Sequence, residues 1–341
     1  MPSREEMVFN EDMFNKIIQE TTVEGIEENR LVNVLYGLSP FQSTVLPKVN
    51  DDDKIHVFFT RPDMNLSQNN IVRDRTAIGI QKNNESIQKY IRLLLDQKQN
   101  VDTTSSVLDA HNPFIPIASN LLETMSGFPD IVLESWISKT GIRKEQWGYG
   151  DGYTKIHYTF NLDATFTNVI DEPIPLLIST WMNYISNVRE GVFMPHVHNL
   201  SPRRTDYQTA IWVIVTNKNK RIKKIARTIA YPIADPKGRN FNFTRNESKL
   251  NEGSKVNVRF KCFGVEYNDP ILLLEFNTLM MSAHPKIKDV VMNGGTGMKE
   301  IPDSFRNKFK YRAYPFIDLK YNTLEYLVDE DQIKIKAIPD E

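Results

Sequence analysis

The 341-residue chain has one cysteine, Cys262. An internal disulfide framework is therefore impossible, and structural zinc sites that need two or more cysteines are excluded. Cys262 reads as a small buried hydrophobe within a strand. No run of about 18 apolar residues occurs, so no membrane span is expected. Met1 to Asp12 is polar and acidic, unlike a secretory leader, which points to a protein made and assembled in a cytoplasm. An excess of charge is missing as well. Lys plus Arg total 42 against 43 for Asp plus Glu, and so balanced a chain does not hold nucleic acid by bulk electrostatics. No internal repeat and no low-complexity tract is present.

What remains is ordinary globular material, 40% apolar and 25% charged, long enough for two or three domains. Asp12 to Gln19 reads as a short amphipathic helix, while Leu31 to Leu46 is apolar without clean period. Ile55 to Thr60 is β-branched and aromatic, a strand that Arg61-Pro62-Asp63 breaks. Ile87, Ile91, Leu94 and Leu95 fall at helical spacing within Asn84 to Gln97. The turn-rich stretch Trp136 to Gly152 (WISKTGIRKEQWGYGDG) reads as a long hairpin tip or a domain junction.

From Tyr153 the periodicity sharpens. Ile156, Tyr158, Phe160 and Leu162 alternate with His157, Thr159 and Asn161, as in a strand with one buried face. Asp171 offers an N-cap, Pro173 suits a first helical turn, and Ile174, Leu177, Ile178, Trp181, Ile185 and Val188 follow on one helical face. Tyr207 to Thr216 is a β-prone run, apolar on both faces. A turn at Asn217–Lys220 leads to a returning strand, Ile222 to Tyr231, which Pro232 ends. Asn240 to Arg245 and Lys255 to Phe263 are further strands. In the second, Val256, Val258, Phe260 and Cys262 alternate with Asn257, Arg259 and Lys261. Pro270 to Met281 suits a buried strand and a short helix equally well. Strands are also expected at Tyr311 to Leu319 and near Tyr326.

The candidates for chemistry are few. His196 and His198, at i and i+2, could share a metal if a third ligand joined them, or form the site of an enzymatic or ligand-binding module. Their neighbours Pro195, Asn199 and Pro202 favour an exposed loop. The loop Asn293 to Gly297 (NGGTG) lacks the strand before it and the Gly-Lys-Ser/Thr after it that a phosphate cradle needs. No nucleophile elbow occurs. The basic cluster Lys218 to Lys224 sits at a hairpin turn, where it could touch nucleic acid or an acidic neighbour subunit, though a solvated tip whose charges guard against aggregation is favoured. No cofactor and no catalytic residue is expected.

The order of elements from Tyr153 to about Glu275 resembles the tail-tube module of contractile phage tails. An aromatic strand (IHYTFNLD) leads into a Pro-initiated helix with a Trp (IPLLISTWMNYI). A hairpin strand ending in an aromatic-Pro pair (IARTIAYPI), a short strand (GRNFNFT) and a final alternating strand (VNVRFKCFGVEY) follow. The resemblance implies a β-rich α+β fold, a tail-tube-like barrel or sandwich with a packed helix. It places an accessory region at 1–150, the module at 151–280 and an extension at 281–341. Ile174, Leu177, Ile178, Trp181, Tyr184 and Ile185 would pack the helix on the barrel. Ile156, Tyr158, Phe160, Val256, Val258 and Phe260 would fill its core. The function implied is a virion protein forming a six-fold ring of the tail tube or of the tube-initiating top of the baseplate, with a tail terminator or neck ring as the alternative. Partners would be identical copies, other tube, baseplate or sheath proteins, and DNA passing unbound through the lumen. Rings would stack through an extension at Trp136 to Tyr153 or Val192 to Tyr207.

Overall fold

A computed structural model describes residues 53–77, 87–96, 109, 111–133, 135–150, 156–200, 205–234, 255–293, 297–301 and 312–329, without the side chains of 156, 157, 200, 292 and 293. The expected elements at Asp12–Gln19, Leu31–Leu46 and Asn240–Arg245, and the Gly294–Thr296 part of the glycine-rich loop, lie outside the described residues.

The fold is α+β, built on a curled six-stranded sheet with helices packed on it. In spatial order the strands are β1 (Lys54–Phe59), β6 (Thr209–Thr216), β7 (Ile222–Pro232), β8 (Lys255–Tyr267), β5 (Ile156–Thr167) and β2 (Leu122–Ser126). Every neighbouring pair is antiparallel. Register shifts interrupt four of the five ladders, and bulges of this kind add twist and bend to a sheet. Among the described residues the sheet stays open, bordered by β2 on one side and on the other by β1, whose last residue is met by the segment 113–115. Both border strands precede residue 150.

The first core lies on the face that meets helix α4 (Pro173–Arg189). Ile174, Leu177, Ile178, Trp181 and Tyr184 are buried there and Ile185 packs alongside. They meet Leu162, Ala164 and Phe166 of β5, Val256, Val258, Phe260 and Cys262 of β8, and Phe59 of β1. Helix α2 (Ile87–Leu95) adds Ile91, Leu94 and Leu95. Pro173 occupies the first turn of α4, where a missing N–H costs nothing. The N-cap is Glu172 in place of the expected Asp171. Both residues adopt left-handed backbone, φ 48° and 73°, to turn the chain from β5 into the helix.

Tyr158 departs from the expected pattern: it is 56% exposed. The shift in the β5–β8 ladder between Ile156 and Thr159 breaks the alternation at this end of the strand. Regular alternation resumes with Phe160, half-buried, and Leu162, buried.

The second core covers the opposite face of β1, β6 and β7 only. Phe58, Trp212, Ile214, Ile222 and Ile225 meet Leu272, Leu273, Phe276 and Met280 of helix α6 (Ile271–Ala283). The Pro270–Met281 run, compatible with strand or helix, is thus helical, and its buried residues fall at helical spacing. Asn277, buried on α6, holds β10 (Tyr314–Asp318) like a neighbouring strand. Its amide donates to the Ile317 carbonyl at 2.7 Å and its oxygen accepts from the Ile317 N–H at 3.0 Å. Strands β10, β11 (Thr323–Asp329) and β9 (Met298–Glu300) form a small sheet in the same core, beside helix α7 (Pro285–Asn293). The residues after 281 therefore share a core with the main sheet.

Candidate assembly surfaces

Covering one face across half of the sheet leaves β8, β5 and β2 with a second face that no helix among the described residues protects. The sequence supplies polar side chains there, and they pair across strands. Lys261 Nζ donates to Asn161 Oδ1 at 3.2 Å, Arg259 Nε to Asp163 Oδ1 at 2.6 Å, and Thr165 Oγ1 to Asn257 Oδ1 at 3.0 Å. At the end of the ladder Lys255 Nζ meets Glu123 Oε2 of β2 at 2.6 Å, and Thr167 Oγ1 donates to Glu123 Oε1 at 2.8 Å. The hydrogen bonds from Lys255 and Thr167 hold the Glu123 carboxyl below its usual range, and the bond to Asp163 raises Arg259. The result is a solvent-facing polar surface on which Arg259 and Lys255 each meet a carboxylate and Lys261 meets a neutral amide. At the basic turn Lys218–Lys224 two of the cations are paired with acids: Lys220 meets Glu325 at 3.1 Å and Lys223 meets Asp53 at 2.7 Å.

Between β2 and β5 the chain leaves the body. Gly127, at φ +109°, packs against the Asn161 carbonyl so closely that a Cβ would collide with it. Phe128 then rests on Phe160 and Tyr267, and the Tyr267 hydroxyl donates to the Pro129 carbonyl at 2.8 Å. Beyond this anchor stands the hairpin of β3 (Ser135–Ile137) and β4 (Gly148–Gly150). Its own bonds shape it. Ser138 N donates to the Trp147 carbonyl at 2.7 Å, Gly141 N to the Glu145 carbonyl at 2.9 Å, and the rings of Trp136 and Tyr149 lie 5.1 Å apart. Yet the apolar side chains face water: Trp147 is 77% exposed, Ile142 fully so, and Val132, Leu133, Trp136, Ile137 and Tyr149 are exposed as well. A three-residue-strand hairpin is marginal alone, and so much exposed apolar surface marks a contact site. The other expected extension, Val192–Tyr207, is pinned to the body over its described part. Val192 N donates to the Asn187 carbonyl at 2.8 Å, and the Met194 carbonyl accepts from the Asn65 and Asn70 amides, each at 2.9 Å.

His196 and His198 lie beside each other at α5 (Val197–Leu200), rings 5.5 Å apart, but each meets a different carboxylate. His196 Nε2 is 3.3 Å from Asp96 and His198 contacts Asp63. No group of three His, Cys, Asp or Glu side chains that could hold a metal exists among the described residues. The pair belongs to a structural network around the loop 61–67. Arg61, buried, donates to the Leu93, Leu94 and Asn112 carbonyls at 2.5, 3.0 and 3.3 Å, and burial lowers its pKa to about 10. Asp96 accepts from the Leu66 N–H at 2.8 Å. Tyr184 donates to the buried Asp206 carboxylate and accepts from the Asn65 N–H at 3.0 Å. Burial raises the pKa of both Tyr184 and Asp206. Sequence reading offered His196 and His198 without their carboxylates, because Asp63 and Asp96 are at least 100 residues away in the chain.

Comparison with known proteins gives the class. Residues 3–340 match the family described as "Putative phage tail tube protein". The chain belongs to this phage tail tube family. No curated protein matches it. Among solved structures, the tube-terminating cap of the anti-feeding prophage, determined by cryo-electron microscopy, is similar over 46% of this chain and 82% of that one. The TM-score is 0.27 and the identity 12%, a level that defines neither fold nor function.

Proposed function

We propose that this chain is a structural subunit of a phage tail whose β2–β5–β8 face lines a channel through which DNA passes. The observation that carries the reading is the cross-strand-paired polar ladder on the half of the sheet that no described helix covers. A channel wall must be wetted yet hold DNA only weakly, and side chains that pair with one another, two of the three cations with carboxylates, serve both needs. Family membership supports a role in the tail. The borders β1 and β2 are the natural sites of ring closure. A border strand is an interaction liability in a lone subunit, and pairing with a neighbour removes it. The finer reading is a six-fold ring of the tube, or of the tube-initiating top of the baseplate, in a contractile tail assembled in the host cytoplasm, with no catalytic activity.

Electron microscopy of the purified chain at rising concentration, with and without tail preparations as seeds, tests the reading. Six-fold rings or stacked tubes are expected. A chain that stays monomeric and adds to no seed contradicts it.

A further inference from the structure

His284 ends helix α6 and Pro285 opens α7, and the segment 111–115 runs as a strap from this joint to the outer edge of β1. The strap is bonded on both sides. Toward β1, the Arg61 N–H donates to the Pro113 carbonyl and the Ile115 N–H to the Phe59 carbonyl, each at 2.8 Å. The Thr60 N–H donates instead to Ala210 of β6 at 3.0 Å, so Phe59 and Arg61 turn their main-chain groups outward and the strap covers them. Toward the joint, His111 Nδ1 donates to the Ala283 carbonyl at 3.2 Å, and Tyr314 of β10 donates to Asp109, just before the strap.

His284 is the sensitive point of this arrangement. It is 4% exposed, and its Nδ1 has no hydrogen-bond partner among the described residues. Its ring lies 5.1 Å from that of His111 and 4.5 Å, edge to face, from that of Tyr314. A protonated imidazole carries a hydrogen on both nitrogens, so a charged His284 would hold a buried donor at Nδ1 with no acceptor. The charged groups around it are mixed. His111 of the strap and Lys286 of α7 oppose a positive charge there, while Asp109 and Asp329 of β11 favour it. Arg312, 4.0 Å from Asp109, adds a further cation. Burial first, and His111 second, decide the balance, and the His284 pKa lies below the ordinary histidine value.

We propose that the His111–His284 contact is an acid-sensitive latch: in mild acid the pair repels, the strap loosens, and the edge of β1 at Phe59 and Arg61 is uncovered. The neutral pair is the one that fits. A histidine whose folded pKa is lowered gives its full stabilisation above its ordinary value, and that contribution is lost as pH falls toward the folded value. The strap is therefore closed at neutral pH and loosens below it. Closed, it confines the free border of β1 to the residues before Phe59. Open, it lengthens the stretch of β1 able to pair with another strand. The latch works within one subunit and does not depend on the tail reading.

Hydrogen exchange of the wild-type chain tests it, because the Arg61 and Ile115 amides report the strap directly. Corrected for intrinsic rates, their protection should fall about tenfold between pH 7 and pH 5, the factor expected for one stranded buried donor, while amides of the β5–β8 ladder keep theirs. His284→Phe keeps an aromatic ring against Tyr314 and should remove the fall. His111→Gln, at an exposed position, should reduce it. Equal protection of Arg61 and Ile115 at both pH values overturns the proposal in the wild-type chain, with no variant needed. A fall that persists in full in either variant overturns it as well, and assigns the effect to His196 and His198 beside the loop 61–67.

Discussion

At the residue scale, a few positions tie local geometry to the whole surface. Gly127 is one: its positive φ and the nearby Asn161 carbonyl leave no room for a side chain. Gly127→Ala should cost about 2–4 kcal/mol, read as a lowered melting temperature, because strain and collision act together. A second group is the set of acids kept neutral by burial. Cys262 and Tyr267 are pushed up to about 12, and Tyr184 and Tyr314 are raised as well, by burial and by Asp206 and Asp109 beside them. A raised folded pKa means that the unfolded chain loses its proton first as pH rises. The stability held by these groups is complete below about pH 9 and is lost as pH climbs toward 12. Thermal melts between pH 8 and 12 should show this decline, and a flat profile would contradict it. Residue patterns were unequally legible in the sequence. Alternation in β8 is a relation between neighbours, so its polar row could be read directly. The burial of Asp96, Asp206 and Arg61 depends on partners far along the chain, and nothing local announces it. Tyr158 looked like a core residue because a ladder shift leaves no mark in the residue types around it.

At the element scale, the loop 61–67 works as a clasp. Arg61 supplies donors to the last turn of α2, where the Leu93 and Leu94 carbonyls have no helical partner among the described residues. Arg61→Met should keep the apolar stem and lose those bonds. The expected cost is about 3 kcal/mol, with faster hydrogen exchange concentrated in 87–96. Uniform exchange across the sheet would assign Arg61 a different role. Helix α6 could not be told from a strand by pattern. Its apolar run is long enough for either, and the choice falls to tertiary pairing, in which Asn277 takes the place of a strand beside Ile317. The β3–β4 hairpin was legible as a hairpin from its glycines and turn residues. Its exposure was not, because Trp, Ile and Tyr at those positions look the same whether they fill a core or await a partner.

At the scale of the whole molecule, the sheet divides by its cover. The β1–β6–β7 half is packed on both faces, and the β8–β5–β2 half presents one face of polar side chains paired across strands. Removing the acids alone separates neutrality from stability. Asp163→Asn with Glu123→Gln should leave the melting temperature unchanged, since these pairs face water. The unmatched Arg259 and Lys255 should then retain double-stranded DNA in a gel-shift at low salt, an effect that fades as salt rises. No DNA retention by the double variant would show that the pairing has no part in keeping the face inert. The most direct measurement concerns where that face points. Asn257→Cys places a reactive thiol in the middle of the ladder, with Cys262 buried. In free subunits it should react with both a small maleimide and a maleimide carrying a long polymer. In assembled tubes it should still react with the small reagent and be closed to the large one. Equal reaction with the large reagent before and after assembly would place the face on the outside and contradict the account.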